Sequence, residues 1–354
     1  TLFQGQGFPC TGPPWNFGDG LNASLLAIDG GQRWFAYRAA QATQRANEEN
    51  ETVQRYGVGL TVKQQYYAVL QARELEAAGA SAVEAAQVTL NYAAARVKVG
   101  ATVRTDSLKA AVQMGTARLA LINARAALRD ANAALTRLVA SDVEVTAVAA
   151  DTNDIPRLDV DDAALTRMAD DGPAVRQAIA MRDAAKSSHR SAITGNFIPQ
   201  IRFGYNYSLA TSSSYFNWGG GPASNNIQYT LAVSYPIFNN FSRELSTTQA
   251  AVAEDNADAA LRDARFNAHA NLATLVDQYR TAVETINLQQ LQIAAAQEDF
   301  AATQTRYGLG ASAYLDLLTS QTALDAQRIL LINARYTART AKAAIEAFIG
   351  RDLK

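Results

Sequence analysis

Between Gln200 and Leu209 the chain alternates without a break. Ile201, Phe203, Tyr205, Tyr207 and Leu209 are apolar or aromatic, and Gln200, Arg202, Gly204, Asn206 and Ser208 between them are polar or small. A period of two puts every second side chain on the same side of an extended chain, so this segment is a strand with one apolar face. The alternation resumes at Tyr229, Leu231, Val233, Tyr235 and Ile237, after a Ser/Gly/Asn loop over 211–226, and residues 21–28 read as a further short strand. Ten-odd residues is also the length of a tilted strand that crosses a bilayer. Residues 1–20, rich in glycine, proline and aromatics, read as a loop.

The rest of the pattern is helical. Arg33 to about Val99 contains no proline, and its ~65 residues predict a helix of roughly 100 Å. Gly100 punctuates it, and a second helix is expected from about Thr102 to Val139, with Thr102 as its N-cap. Residues 141–172 are acidic and irregular, with a short helix inside Asp161–Asp170. Pro173 suits the first turn of the next helix, which Gly195 and Pro199 are expected to stop. A second long helix follows Asn239-Asn240 and runs to about Tyr307. Gly308 and Gly310 turn the chain into a last helix from about Ser312, its expected N-cap, to Phe348. In that helix Leu317, Leu324 and Leu331 recur every seven residues, the period of helices that supercoil against neighbours.

These elements occur twice. Leu121-Ile122-Asn123-Ala124-Arg125 returns as Leu331-Ile332-Asn333-Ala334-Arg335, 210 residues later. The same offset lays Gly100 on Gly310, Asp106 on Asp316, Arg96 on Arg306, Arg118 on Arg328, Arg33 on Arg243, and Leu21-x-x-Ser24 on Leu231-x-x-Ser234. A gapless offset means a duplicated unit of strand, long helix, glycine turn and shorter returning helix. The fold class is therefore mainly α with a small membrane β part: long coiled-coil-like helical hairpins and a few strands. Open strand edges are forbidden in lipid. The strands must find partners in other chains, most simply in a symmetric ring in which each protomer contributes a few. Helices leaving such a ring prolong it into a tunnel.

Composition narrows the function by exclusion. The net charge is −1, with signs mixed along the chain, so there is no electrostatic footprint for nucleic acid. No stretch of about 18 apolar residues predicts a transmembrane helix. A single cysteine, Cys10, leaves no intrachain disulfide. Two histidines, His189 and His269, stand apart on helices, and no metal set or nucleophile–base constellation emerges, so neither an enzyme nor a cofactor site is expected. Gly219-Gly220-Gly221 precedes no helix and is no phosphate cradle.

At the junctions the chain resembles the TolC family of outer-membrane efflux proteins. The resemblance lies in Ala27-Ile28-Asp29-Gly30-Gly31 and Tyr235-Pro236-Ile237-Phe238-Asn239-Asn240, where strand passes into helix, and in Asn196-Phe197-Ile198-Pro199-Gln200, where helix passes into strand. It lies also in the helix tips Val99-Gly100-Ala101 and Tyr307-Gly308-Leu309-Gly310-Ala311, each with an aspartate six residues after the turn glycine. The resemblance implies a homotrimer with a 12-stranded β-barrel, four strands from each protomer, in the outer membrane of a Gram-negative-type bacterium. It implies a periplasmic α-barrel working with a periplasmic adaptor protein and an inner-membrane efflux pump or ABC secretion transporter. The function expected is a passive exit duct for small molecules or peptides; the competing reading is a soluble helical scaffold with a small β cap. Three strands are found where the family has four, which reads as an N-terminally incomplete protomer, the alternative being a natural variant with a shorter barrel.

On this basis the chain is divided into 1–31 (external loop and barrel strand), 32–140 (helical hairpin of the first copy) and 141–172 (equatorial segment). The division continues with 173–196 (tunnel helix), 197–238 (two barrel strands with their loop) and 239–350 (helical hairpin of the second copy). Candidate site residues follow. Val99, Gly100, Ala101, Leu309, Gly310 and Ala311 form the tips expected to dock the adaptor. Asp106, Tyr307 and Asp316 are the candidate tunnel gate, with a Tyr307–Asp106 bond between neighbouring helices. Ser312 and Thr319 depart from the family pattern, which has a basic and a second acidic residue there. Tyr205, Tyr207, Trp218, Tyr229 and Tyr235 are the candidate aromatic girdle against outer-membrane lipid.

Overall fold

The computed structural model describes residues 15–148, 158, 161–213 and 223–353. Its elements are β1 (Trp15–Ile28), α1 (Gln32–Lys98), α2 (Arg104–Val139), α3 (Asp162–Asp170), α4 (Pro173–Phe197), β2 (Gln200–Ser213), β3 (Ala223–Ser234), α5 (Ser242–Gly308) and α6 (Tyr314–Ile349). The bounds of α5 and α6 are those of α1 and α2 displaced by the same 210 residues. The backbone repeats too. Among the described residues, those of positive φ fall into pairs at that offset: Gly30 with Asn240, Gly31 with Phe241, Gly100 with Gly310, and Ala140 with Gly350.

Two compact units divide the chain. One holds residues up to Ala46 together with Ala178–Leu261, and the other holds Asn47–Gln177 together with Arg262 onward.

The first unit is built on an antiparallel sheet of order β1-β2-β3. Its register sets Tyr207 between Leu21 and Ile227, Tyr205 between Ala23 and Tyr229, and Phe203 between Leu25 and Leu231. All three strands therefore present their apolar positions on the same face. β1 starts at Trp15, so residues 15–20 are strand and not the expected loop. Pairing with β2 carries Gly18, Asp19 and Gly20 into the ladder although their own strand preference is weak. β2 reaches Ser213 and β3 begins at Ala223, so residues 211–213 and 223–226 are strand and not the expected loop. β3 ends at Ser234, short of Tyr235 and Ile237. Pro236 has no N–H to give a ladder, which stops the pairing there.

Gly195 does not stop α4, which runs on to Phe197, just before the residue that Pro199 restricts. Gly195 meets a different need: a Cβ there would lie 2.6 Å from the Gln32 side chain. At the start of α1 the Asp29 carboxylate accepts the backbone N–H of Gly31 (3.0 Å) and of Arg33 (3.1 Å) and the Arg33 Nε (2.7 Å). Arg33 also donates to the Leu26 carbonyl at 2.5 Å. The second copy repeats this knot in weaker form. Arg243 N–H reaches the Asn239 side chain at 3.5 Å, its guanidinium donates to the Pro236 carbonyl at 3.3 Å, and it stacks 4.8 Å from the Phe197 ring.

In the second unit four long helices pack as a row. Ala86 of α1 meets Met114 and Ala117 of α2. Val69 and Leu70 of α1 meet Ile332 and Tyr336 of α6. Ala282 and Ile286 of α5 meet Leu331, Ala334 and Ala338 of α6. Along their middle the order is thus α2, α1, α6, α5, whereas at the tips Tyr307 of α5 also packs against Ala93 of α1 and Ala110 of α2. The seven-residue series Leu317, Leu324 and Leu331 is buried along α6, as its period requires. α3 lays Leu165 and Ala169 over Leu272 and Val276 of α5 and over Ile345 and Ile349 of α6. Lys63 ties down the last turn of α6, bonding Glu346 at 2.6 Å and Asp352 at 3.2 Å.

Candidate functional site

The sheet carries an apolar face that nothing in the described chain covers. Leu21, Leu25, Ile227 and Val233 are all exposed, with Tyr229 at 69% and Leu231 at 72%. From Ile201 to Leu209 this band runs about 27 Å along the strand at ~3.3 Å per residue. Its rings touch one another: Tyr205 lies 5.4 Å and Phe203 6.3 Å from the Tyr229 ring. The opposite face is Arg202, Gly204, Asn206 and Ser208 with Gln228, Thr230 and Asn226 beside them. A contiguous apolar face of this size on a protein surface marks contact with lipid or another protein. Of the girdle candidates, Tyr205, Tyr207 and Tyr229 share this face, Tyr235 stands beyond the end of β3, and Trp218 lies outside the described residues.

The helix tips form a second constellation, in the other unit. Each long helix closes through paired backbone bonds: Gly100 N–H to the Val97 carbonyl and Ala101 N–H to the Arg96 carbonyl, and likewise Gly310 to Tyr307 and Ala311 to Arg306. Gly100 at φ 71° and Gly310 at φ 77° supply the left-handed residue that this closure requires. The closure throws an apolar side chain outward on each tip, leaving Val99 77% and Leu309 81% exposed.

The N-caps of the returning helices are Val103 and Ala313, one residue later than expected. Neither can cap with its side chain. The hydroxyls of Thr102 and Ser312 instead donate to the carboxylates of Asp106 (2.5 Å) and Asp316 (2.9 Å), and Asp316 also accepts the Ala313 N–H at 3.1 Å. Both aspartates thus sit in first helical turns, where a negative charge is favoured.

Tyr307 is buried under the tips in a cluster with Ala93, Ala110, Tyr314 and Leu317. Its ring lies 5.9 Å from that of Tyr92 and 6.0 Å from that of Tyr314. Within the protomer it does not bond Asp106. Neither the Tyr307 nor the Tyr314 hydroxyl has a hydrogen-bond partner among the described residues, although both rings are 2% exposed. Burial pushes both phenols above their usual range, and the Asp106 charge adds to that.

Arg96 was not singled out by the sequence as a site residue, yet it fastens the two tips together. Its guanidinium donates to the Tyr307 carbonyl, reaches the Ala101 carbonyl at 3.4 Å and lies 4.8 Å from the Tyr307 ring. Tyr92 adds a bond from its hydroxyl to the Gly308 carbonyl at 3.2 Å. The signal for Arg96 was its recurrence as Arg306; nothing in the sequence marked Tyr92 or Tyr314. The two histidines pair with carboxylates, His189 with Glu254 at 2.7 Å and His269 with Asp170 at 2.9 Å. Among the described residues no three His, Cys, Asp or Glu gather as metal ligands, and no helix is long and apolar enough to cross a membrane.

Comparison with solved structures finds this fold in outer-membrane channels. CusC, whose structures concern transmembrane channel formation, superimposes with a TM-score of 0.86 at 20% identity, over 95% of this chain and 78% of that one. The outer membrane protein VceC of Vibrio cholerae gives 0.78 at 15% identity, over 96% and 88%. The MtrE outer membrane channel of Neisseria gonorrhoeae, in its open state, gives 0.77 at 17% identity, over 96% and 81%. Comparison with curated protein sequences returns no match. The family model for the outer membrane efflux protein matches residues 15–141 and 165–351. An exposed apolar sheet face, duplicated helical hairpins and this match agree, and the chain belongs to the outer membrane efflux protein family.

Proposed function

We propose that this chain is one of three identical subunits of a passive exit duct. Its sheet lies against outer-membrane lipid in a shared β-barrel, and its helices form a periplasmic tunnel. The observation that carries this reading is the uncovered face of Leu21, Leu25, Tyr229, Leu231 and Val233 on a sheet whose outer strands, β1 and β3, each pair on one side only among the described residues. Water penalises such a face by roughly 25 cal/mol per Å², and lipid relieves that cost. Unpaired strand edges are equally untenable in lipid until copies close the ring. A soluble scaffold has no use for either feature.

The exposed Val99 and Leu309 beside Gly100, Ala101, Gly310 and Ala311 support docking of a periplasmic adaptor hairpin at the tips, on behalf of an inner-membrane efflux pump or ABC secretion transporter. Asp106, Tyr307 and Asp316 support a gate. In that gate a Tyr307–Asp106 bond would latch neighbouring helices at the constricted end, and the three copies of Asp316 would concentrate negative potential in the bore. Reconstitution of the full-length protein in planar bilayers tests the duct: stable trimeric pores are expected, and a monomer that needs no detergent overturns it. Asp316→Ala is expected to lower cation selectivity; an unchanged selectivity removes Asp316 from the gate. Gly100→Trp with Gly310→Trp is expected to abolish adaptor cross-linking while the trimer persists, and unchanged cross-linking rejects the docking role.

A further inference from the structure

We infer that Arg202, repeated around the axis of the assembled duct, forms an anion-binding ring at the helix end of the barrel bore, suited to solutes that carry two or more carboxylate or phosphate groups. The inference rests on the proposed duct and adds a ligand class to it. Arg202 is the third residue of β2, which begins just after α4 ends at Phe197. Alternation puts it on the opposite face of the sheet from Phe203, Tyr205 and Tyr229. With that apolar face in lipid, the face that bears Arg202 lines the bore.

The surroundings of Arg202 supply no counter-charge. Only two residues of the three strands are charged, Arg202 and Asp19. Asp19 stands opposite Leu209, on the other face. It is also about 23 Å along the strand from Arg202, well past the ~8 Å over which exposed charges interact at physiological salt. β2 is the central strand, so both of its neighbours belong to this chain and no strand of another copy can lie beside it. Directly opposite Arg202 are Leu26 of β1 and Ala232 of β3, whose side chains accept nothing. The next positions on that face, Gln200, Ser24, Thr230 and Ser234, are uncharged. Among the described residues the exposed Arg202 makes neither a hydrogen bond nor an ion pair. The arginines of the two strand-to-helix knots differ in this respect. Arg33 is matched by Asp29 at 2.7 Å and Arg243 by Glu244 at 2.9 Å.

A single exposed guanidinium holds an anion weakly. Assembly changes this, because symmetry brings an Arg202 from every copy to the same height in the bore. Like charges around a channel with low-dielectric walls focus their field and concentrate counter-ions there. The guanidinium fork matches the paired oxygens of a carboxylate or phosphate. The hydroxyls of Ser24 and Thr230 beside it donate hydrogen bonds and repel no anion. Since no carboxylate of the strands shares that face, the negative charge that satisfies the ring has to arrive with the solute.

Current block of the full-length protein in planar bilayers tests the ring. The probe is benzene-1,3,5-tricarboxylate, and the uncharged control is benzene-1,3,5-trimethanol. At about 0.1 M salt the tricarboxylate is expected to block wild-type pores reversibly and the triol is not, and raising the salt to about 1 M should remove the block. Arg202→Gln should weaken the block about tenfold, and Arg202→Lys, which keeps the charge and loses the fork, by less. Wild-type pores that the tricarboxylate leaves unblocked overturn the inference, as do equal affinities in wild type and Arg202→Gln, or a triol that blocks as well. If Arg202→Gln forms no pore, Ala232→Asp takes its place, setting a carboxylate beside an intact Arg202. It should weaken the block by a similar factor, and an unchanged block overturns the ring. A wild-type protein that forms no pore sinks the duct reading and the ring with it; pores indifferent to the charge at 202 sink the ring alone.

Discussion

Two identical pentapeptides in this protein have opposite environments. In α6, Leu331 and Ile332 are buried and Asn333 accepts a hydrogen bond from another helix. In α2, Ile122 and Asn123 face outward. Helical phase cannot explain the contrast, because the two hairpins share their bounds and turn geometry. Position in the row explains it: α6 has a neighbour on both sides and α2 on one. A repeated sequence fixes which face a helix offers, and the neighbours the helix has in the row fix whether that face is filled.

The largest test of this contrast deletes the same side chain in both copies. Ile332→Ala is expected to cost about 2–5 kcal/mol through the cavity it leaves, read as faster amide exchange along α6 and α1. Ile122→Ala should leave exchange inside the α1–α2 hairpin near wild type, because the exposed side chain leaves no cavity behind. Equal effects on both hairpins would erase the distinction.

The tips give a smaller effect. Ala at Gly100 or Gly310 forces a side chain into the left-handed region, at roughly 1–2 kcal/mol. At Gly310 the new Cβ also lies 3.4 Å from the Arg96 guanidinium, whereas at Gly100 it meets open space. Gly310→Ala is therefore expected to loosen the Arg96 fastening as well as the turn, seen as faster exchange near Tyr307 than Gly100→Ala produces near Val97. Next comes Tyr336→Phe, which removes the bond to Glu74 for about 1 kcal/mol. Its duplicate is Ala126, so the loss should appear at the α1–α6 seam only, by the same measurement.

The smallest effect separates the strand-to-helix knots by pH. Burial alone would raise the Asp29 carboxyl, but the side-chain and backbone bonds from Arg33 and the Gly31 N–H outweigh it and hold the group below its usual range. A lowered folded-state value means that the contribution is present above the unfolded value near 3.9 and is lost as pH falls through the lower one. In the second knot the Arg243 amide is held by Asn239, which does not titrate, and Glu244, whose carboxyl its own backbone N–H and Arg243 hold below the usual range, bonds only the Arg243 guanidinium. Acidification is thus expected to release the Gly31 and Arg33 amides before those at Arg243, and Asp29→Asn should abolish the difference in amide exchange.

Much of this was legible in advance. The period of two named the faces of β2 and β3, because pleating leaves no other choice. The offset of 210 predicted two equal hairpins, and glycine at 100 and 310 predicted their turns. The errors were local competitions that a longer-range contact decided. Residues 15–20 look like loop until β2 pairs with them. Gly195 looks like a stop until Gln32 is seen lying against it. Thr102 and Ser312 look like caps, but their hydroxyls turn to the aspartates four residues on.

By itself the sequence determined which residues share a face, where the chain turns and that the unit occurs twice, since all of these follow from backbone geometry over a few residues and from simple counting. Only the tertiary structure decided that Arg96 holds two tips together, that Tyr307 and Tyr314 are buried with hydroxyls that bond none of the described residues, and that one pentapeptide is core while its twin is surface. Those outcomes depend on groups more than 200 residues apart or on neighbours that one copy has and the other lacks, and no local pattern records either.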